Sequence, residues 1–186
     1  MKKLFVLALA AVLCLGLNAQ IFSKGDKVGQ IGIGIGSYIG GSGYKTTIPP
    51  ISGSFEYGIV DGLLDGKASI GVGGYLAYTA NKWETSFLGN SYGFKNNYFI
   101  LGARGAFHYQ FIEKLDTYAG LMLGYNVVSG KYFGDDLGYT VNNAAASAFG
   151  YSAFIGARYY FTEQFAAFAE VGYGIAALEL GIAMKF

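Results

Sequence analysis

His108 is the only histidine in the chain and Cys14 the only cysteine. A protein zinc site would need two or three more ligands of those types, so no metal site is expected. The run Gln30–Gly41, QIGIGIGSYIGG, has the glycine density of a loop that cradles phosphate. A dinucleotide fingerprint, however, requires G-x-G-x-x-G at a strand-to-helix turn, with an acidic residue about twenty positions on. Tyr38 and Ile39 stand where the third glycine belongs, and no helical periodicity follows. Asp135-Asp136 lacks the spaced acidic ligands and turn glycine of a calcium loop. No catalytic residue, cofactor-binding residue or cofactor is expected, which leaves the charged residues Glu56, Arg104, Arg158, Glu170 and Glu179, and they matter only if the fold brings them together.

The glycine run itself shows how it could. Ile31, Ile33 and Ile35 alternate with Gly32, Gly34 and Gly36, a period of two that puts isoleucines on one face of a strand and glycines on the other. The same alternation recurs in eight segments, roughly 28–38, 51–60, 68–80, 97–111, 115–128, 145–161, 165–174 and 176–186. Each is long enough for a tilted membrane strand of about 9–11 residues. Brief connections at 60–67, 112–114 and 162–164 alternate with long ones at 39–50, 81–96 and 129–144, the pattern of a barrel with short turns at one end and loops at the other. The expected fold is all-β, an eight-stranded antiparallel transmembrane barrel.

Which face is apolar separates a barrel in lipid from a soluble calyx. In the last segment Leu178, Leu180, Ile182, Met184 and Phe186 oppose Ala177, Glu179, Gly181, Ala183 and Lys185. In the fourth, Phe99, Leu101, Ala103, Phe107 and Tyr109 oppose Gly102, Arg104, Ala106, His108 and Gln110. The charged strand residues thus sit with small ones, opposite a large apolar face, and a calyx would do the reverse. Eight strands close on an interior just wide enough for side chains, so Gly32, Gly34 and Gly36 are read as lumen residues that make room.

Composition agrees. Hydrophobic residues make up 53% of the chain and aromatics 17%, with net charge +1; mean hydropathy is +0.35. Neither a nucleic-acid footprint nor a polybasic patch is visible at that balance. Lys2 and Lys3, the apolar run Leu4–Leu17 and Asn18-Ala19-Gln20 form the three-part layout of a secretory signal peptide, 1–19. The run is shorter than the ~20 residues of a membrane helix. Leu13 before Cys14 argues against lipidation, so the mature domain, 20–186, has no cysteine.

At this point the sequence resembles the small, porin-like bacterial outer-membrane β-barrel proteins. Its final residues, ELGIAMKF, are similar to the assembly signal of such barrels; the resemblance implies that Glu179, Gly181, Met184 and Phe186 are recognised by the barrel-assembly machinery. Gly156–Phe161 and Phe168–Tyr173 look like the closing hairpins of that family, and Ala19-Gln20 with Tyr- and Gly-rich strands resembles its Bacteroidetes members.

Counting up from the short turns, Glu56, Arg104, Arg158, Glu170 and Glu179 are expected inside the lumen at similar height, with Lys185 near the rim as a sixth member. Buried charges persist only when paired. His108 is expected to be a structural lumen residue. The long loops carry Tyr44, Lys45, Trp83, Glu84, Tyr92, Lys95, Tyr132, Asp135 and Asp136, a candidate surface for an extracellular ligand. The reading is a non-enzymatic structural or surface-interaction barrel in outer-membrane lipid, with its N-terminus and short turns in the periplasm; the alternative is a narrow passage for small solutes.

Overall fold

The computed structural model describes residues 20–37, 39, 43–87, 90–134 and 146–186; the signal peptide, Cys14, Asp135 and Asp136 lie outside the described residues. The strands are β1 (Lys27–Ser37), β2 (Lys45–Gly62), β3 (Ala68–Phe87), β4 (Asn90–Ile112), β5 (Leu115–Phe133), β6 (Ala148–Tyr160), β7 (Phe165–Tyr173) and β8 (Ala176–Lys185). Each pairs with its chain neighbour, and β8 returns to pair antiparallel with β1, closing the barrel.

Period-two alternation explains the faces. Ile31, Ile33 and Ile35 point outward, 66%, 55% and 58% exposed, while Gly32 and Gly34 between them are buried. The glycines yield their volume to neighbours. A methyl group on Gly32 would lie 2.6 Å from a Glu179 carboxylate oxygen and 2.8 Å from the Phe168 ring, and one on Gly34 would lie 2.7 Å from the Ala176 methyl. Gly36 departs from the expectation: it is exposed at the rim, with φ +70°.

At one end the connections are short. Leu63–Gly66 holds Leu64 and Asp65 in left-handed backbone, and Glu113-Lys114 and Phe161–Gln164 join the next two hairpins. At the other end the strands run further than alternation alone predicts. The expected loop 81–96 is largely strand, with β3 and β4 in continuous register from Ala68↔Tyr109 to Phe87↔Asn90. Its Gly, Asn and Ser content reads as loop, yet Trp83, Phe94 and Tyr132 stack across β3, β4 and β5, with ring centroids 6.5 and 5.6 Å apart. Cross-strand aromatic pairs of this kind stabilise a sheet. Likewise 45–50 belongs to β2, with Pro49-Pro50 in an irregularity between Ile48 and Ile51, where proline's missing donor is tolerated. Residues 129–133 belong to β5, and β6 begins at Ala148.

Before β1, Gln20–Asp26 folds across the short-turn end. Ile21 N donates to Gln110 at 2.7 Å, Ser69 Oγ donates to the Phe22 carbonyl at 2.8 Å, and Gly25 and Asp26 exchange backbone hydrogen bonds with Gly58. The Phe22 side chain is buried inside, its ring 4.2 Å from His108.

Close approach on the inner wall makes a prediction. A methyl group on Gly156 would run into the Tyr118 ring, whereas the nearest atom to one on the outward Gly105 is a carbonyl oxygen at 3.9 Å. In urea unfolding of the detergent-refolded barrel, Gly156→Val is expected to lower stability by about 1–3 kcal/mol. Gly105→Ala should change it by less than about 0.5 kcal/mol.

Candidate functional site

Arg158, on inward-facing parity in β6, is fully buried. Its guanidinium donates to Asp116 at 3.0 Å, to Gln30 at 3.1 Å and to Glu56. Asp116 is its direct cross-strand neighbour on β5, so the β5–β6 register places that pair. Glu56 arrives from β2, across the lumen.

His108 completes the set. Its Nδ1 lies 2.8 Å from Asp116 and its Nε2 2.7 Å from Glu56. Carboxylates accept and do not donate, so with both ionised both ring nitrogens must donate, which is the doubly protonated ring. Arg158 and His108 then balance Glu56 and Asp116 charge for charge. All four are essentially excluded from water, and such charges are stable only when paired and hydrogen-bonded. The Phe22 ring covers the network from the short-turn end.

The remaining members form a second group. Arg104 donates to Glu170 at 2.8 Å and sits over the Phe154 ring at 3.9 Å. Tyr118 joins the two groups: its hydroxyl donates to Glu170 at 3.1 Å, and Arg158 stacks on its ring at 4.5 Å. Glu179 accepts from Ser52 Oγ and, at 3.0 Å, from Tyr75 Oη. Its direct cross-strand partner is Glu170.

Thus all five sequence-selected residues face the interior, but they do not form one balanced layer. Glu56 pairs with Arg158, Glu170 with Arg104, and Glu179 relies on neutral hydroxyls. Strands tilt in a closed barrel, so equal counts up from the turns are not equal heights around the ring. Lys185 stays at the rim, donating to the Ile21 carbonyl at 3.0 Å with Asp26 3.7 Å away. Asp116, outside the expected set, joins the network; it shares inward parity with Tyr118 and Gly120, the one signal of its place in the sequence. His108, expected to be a structural lumen residue, lies in the lumen at the centre of the network, and its partners lie on other strands.

Of the C-terminal residues, Phe186 is exposed on the outer wall and its backbone N–H donates to Lys27 at 2.9 Å, closing β8 on β1. Met184 is half-buried. Gly181 packs beneath Phe168, where a methyl group would lie 2.6 Å from the ring, and Glu179 is in the lumen. Among the described residues no three His, Cys, Asp or Glu side chains are arranged to hold a metal ion.

No protein-family model matches the chain, and no curated protein does. Its structure is similar to that of the outer membrane protein OprG from Pseudomonas aeruginosa, with a TM-score of 0.57 at 12% identity, covering 90% of this chain and 99% of that one. It is also similar to Ail, the attachment invasion locus protein of Yersinia pestis, with a TM-score of 0.52 at 14% identity, covering 88% and 99%. The fold is that of the eight-stranded outer-membrane β-barrels.

Replacing Arg158 by methionine keeps much of the volume but leaves Glu56 and Asp116 with His108 alone. Equilibrium unfolding of the refolded barrel is expected to show a loss of about 3–5 kcal/mol, the scale for breaking a buried pair.

Proposed function

We propose that the protein is an integral barrel of the bacterial outer membrane whose lumen is closed by its own side chains and whose role is structural or surface-interacting, without enzymatic activity. The observation that carries this reading is the filled interior. Among the described lumen residues, the hollow bounded by Tyr75, Arg104, Phe154, Glu170 and Glu179 measures about 20 Å³, room for about one water molecule. Below it lie the Arg158 network and Phe22. The vestibule of about 730 Å³ beside Gln20, Gln110, Tyr160 and Lys185 is lined by residues of the short-turn end.

The outer wall supports the membrane part of the proposal. Leu123 is 73% exposed and Phe149 88%, an inside-out distribution for water and the ordinary one for a lipid-facing barrel surface. In this arrangement the N-terminus and short turns face the periplasm, residues 1–19 act as a removable signal peptide, and the long-loop end is the surface offered to an extracellular ligand. The C-terminal strand is the segment through which the barrel-assembly machinery would recognise the chain. Within it Phe186 is accessible, whereas Glu179 and Gly181 already have packing roles.

Reconstituted into planar bilayers, the protein is expected to give no steady conductance steps, and Phe22→Ala is expected to remain closed because the ionic network lies behind it. Steady steps from the unaltered protein would favour a solute passage. Deleting Phe186 should reduce folded barrel in cells, seen as loss of the heat-modifiable gel band, with a smaller loss on refolding in detergent. Equal losses would assign Phe186 to packing.

A further inference from the structure

At the long-loop end, four lysines stand in one cross-strand row. Lys45 pairs with Lys82, Lys82 with Lys95, and Lys95 with Lys131, so the row crosses β2, β3, β4 and β5 without interruption. Directly opposed residues share a face of the sheet. Parity makes it the outer face, since Lys82, Lys95 and Lys131 lie four positions beyond the outward residues Tyr78, Phe99 and Val127. The other lysines after the signal peptide, Lys24, Lys27, Lys67, Lys114 and Lys185, all lie at the opposite end.

The row's position relative to the apolar band identifies its surroundings. Tyr78, whose hydroxyl donates to Asn97 at 3.0 Å, is the aromatic at which the outer wall turns from apolar to polar. Four residues of tilted strand raise the lysines about 10 Å above it, the depth of lipid headgroups in the outward arrangement proposed above. At ~4.8 Å between strands, the row spans roughly 14 Å along the membrane surface. Lys82 lies over the Phe133 ring at 5.0 Å, which gives the row an apolar footing.

Opposed like charges destabilise a sheet, and the described residues do not balance four of them in register. Among the described residues the row meets one carboxylate, Glu84, 2.8 Å from Lys82. That carboxyl is held below its usual range, first by its hydrogen bond from Lys82, with Lys45 also contributing. A ligand carrying several negative charges would supply the missing balance through charge-assisted hydrogen bonds, and lysine stems can lie along an apolar surface while their heads reach such groups.

We propose that Lys45, Lys82, Lys95 and Lys131 form a binding site for the phosphate-bearing headgroup of a lipid in the outer leaflet. The proposal rests on the outer-membrane reading and adds a specific lipid partner to it. Because the row occupies one side of the wall, the lipid is held next to β2–β5 and not around the whole barrel.

The test uses the full mature barrel, refolded in neutral detergent and presented with diphosphorylated lipid A or with its dephosphorylated form; retention is read by native mass spectrometry. The phosphorylated form is expected to be retained at least about tenfold better, with the preference shrinking as salt is raised. The triple variant Lys45→Gln, Lys95→Gln, Lys131→Gln should lose the preference and the triple arginine variant should keep it, both retaining heat-modifiable mobility as proof of folding. Equal retention of the two lipids, or a preference that survives in the glutamine variant, overturns the proposal. Displacement by an equal concentration of inorganic phosphate would also overturn it, by showing a small-anion site. Density fractionation of cell membranes tests the location separately: a barrel found outside the outer membrane defeats the reading beneath, whereas one found there without lipid preference defeats the lysine row alone.

Discussion

The guanidinium of Arg158 is the constraint on which the rest of the interior depends. A charge fully removed from water in a narrow barrel must be matched nearby; Gln30 on β1, Glu56 on β2 and Asp116 on β5 converge on it, and His108 on β4 bridges the two carboxylates. Large polar side chains can meet there only if the wall opposite them is thin. Gly71 lies directly against the Glu56 carboxylate and Gly156 against Tyr118, so the inner glycines and the ionic network are one design seen from two sides. The network in turn specifies register, since a slip of one residue would carry every inward charge to the lipid face.

The same crowding bears on what the barrel can do. Side chains that meet across the lumen leave space for about one water in the hollow between Tyr75, Arg104, Phe154, Glu170 and Glu179, and the segment before β1 inserts Phe22 beneath them. In the function proposed above, such a barrel serves as a post. In the reading proposed above, what it offers other molecules lies on its outside and at its ends, where Trp83, Phe94 and Tyr132 stack across β3, β4 and β5 and where four lysines align.

The two ends differ in kind. The short-turn end is tied down by backbone hydrogen bonds between the N-terminal segment and β2 and by the Lys185 ammonium donating to the Ile21 carbonyl. The long-loop end carries strand beyond the apolar band, with polar and cationic residues on its outer face and stacked aromatics on its inner one. This polarity is what a barrel needs to have a defined depth and direction in a bilayer.

Period-two alternation and turn residues are local properties of the chain, so the eight strands, the inward and outward sets and the short-turn end were legible in the sequence. It also selected Glu56, Arg104, Arg158, Glu170 and Glu179 as inward, for the same reason. It did not determine which of them touch. Those contacts depend on strand tilt and on register summed around the closed ring, so only the tertiary structure separated Arg104–Glu170 from the Arg158 group, gave Glu179 to Ser52 and Tyr75, and brought Asp116 and His108 into the centre. The N-terminal plug and the lysine row were illegible for the same physical reason: Phe22 reaches His108, and Lys45 reaches Lys131, only through pairings between segments far apart in the chain, which no local pattern encodes.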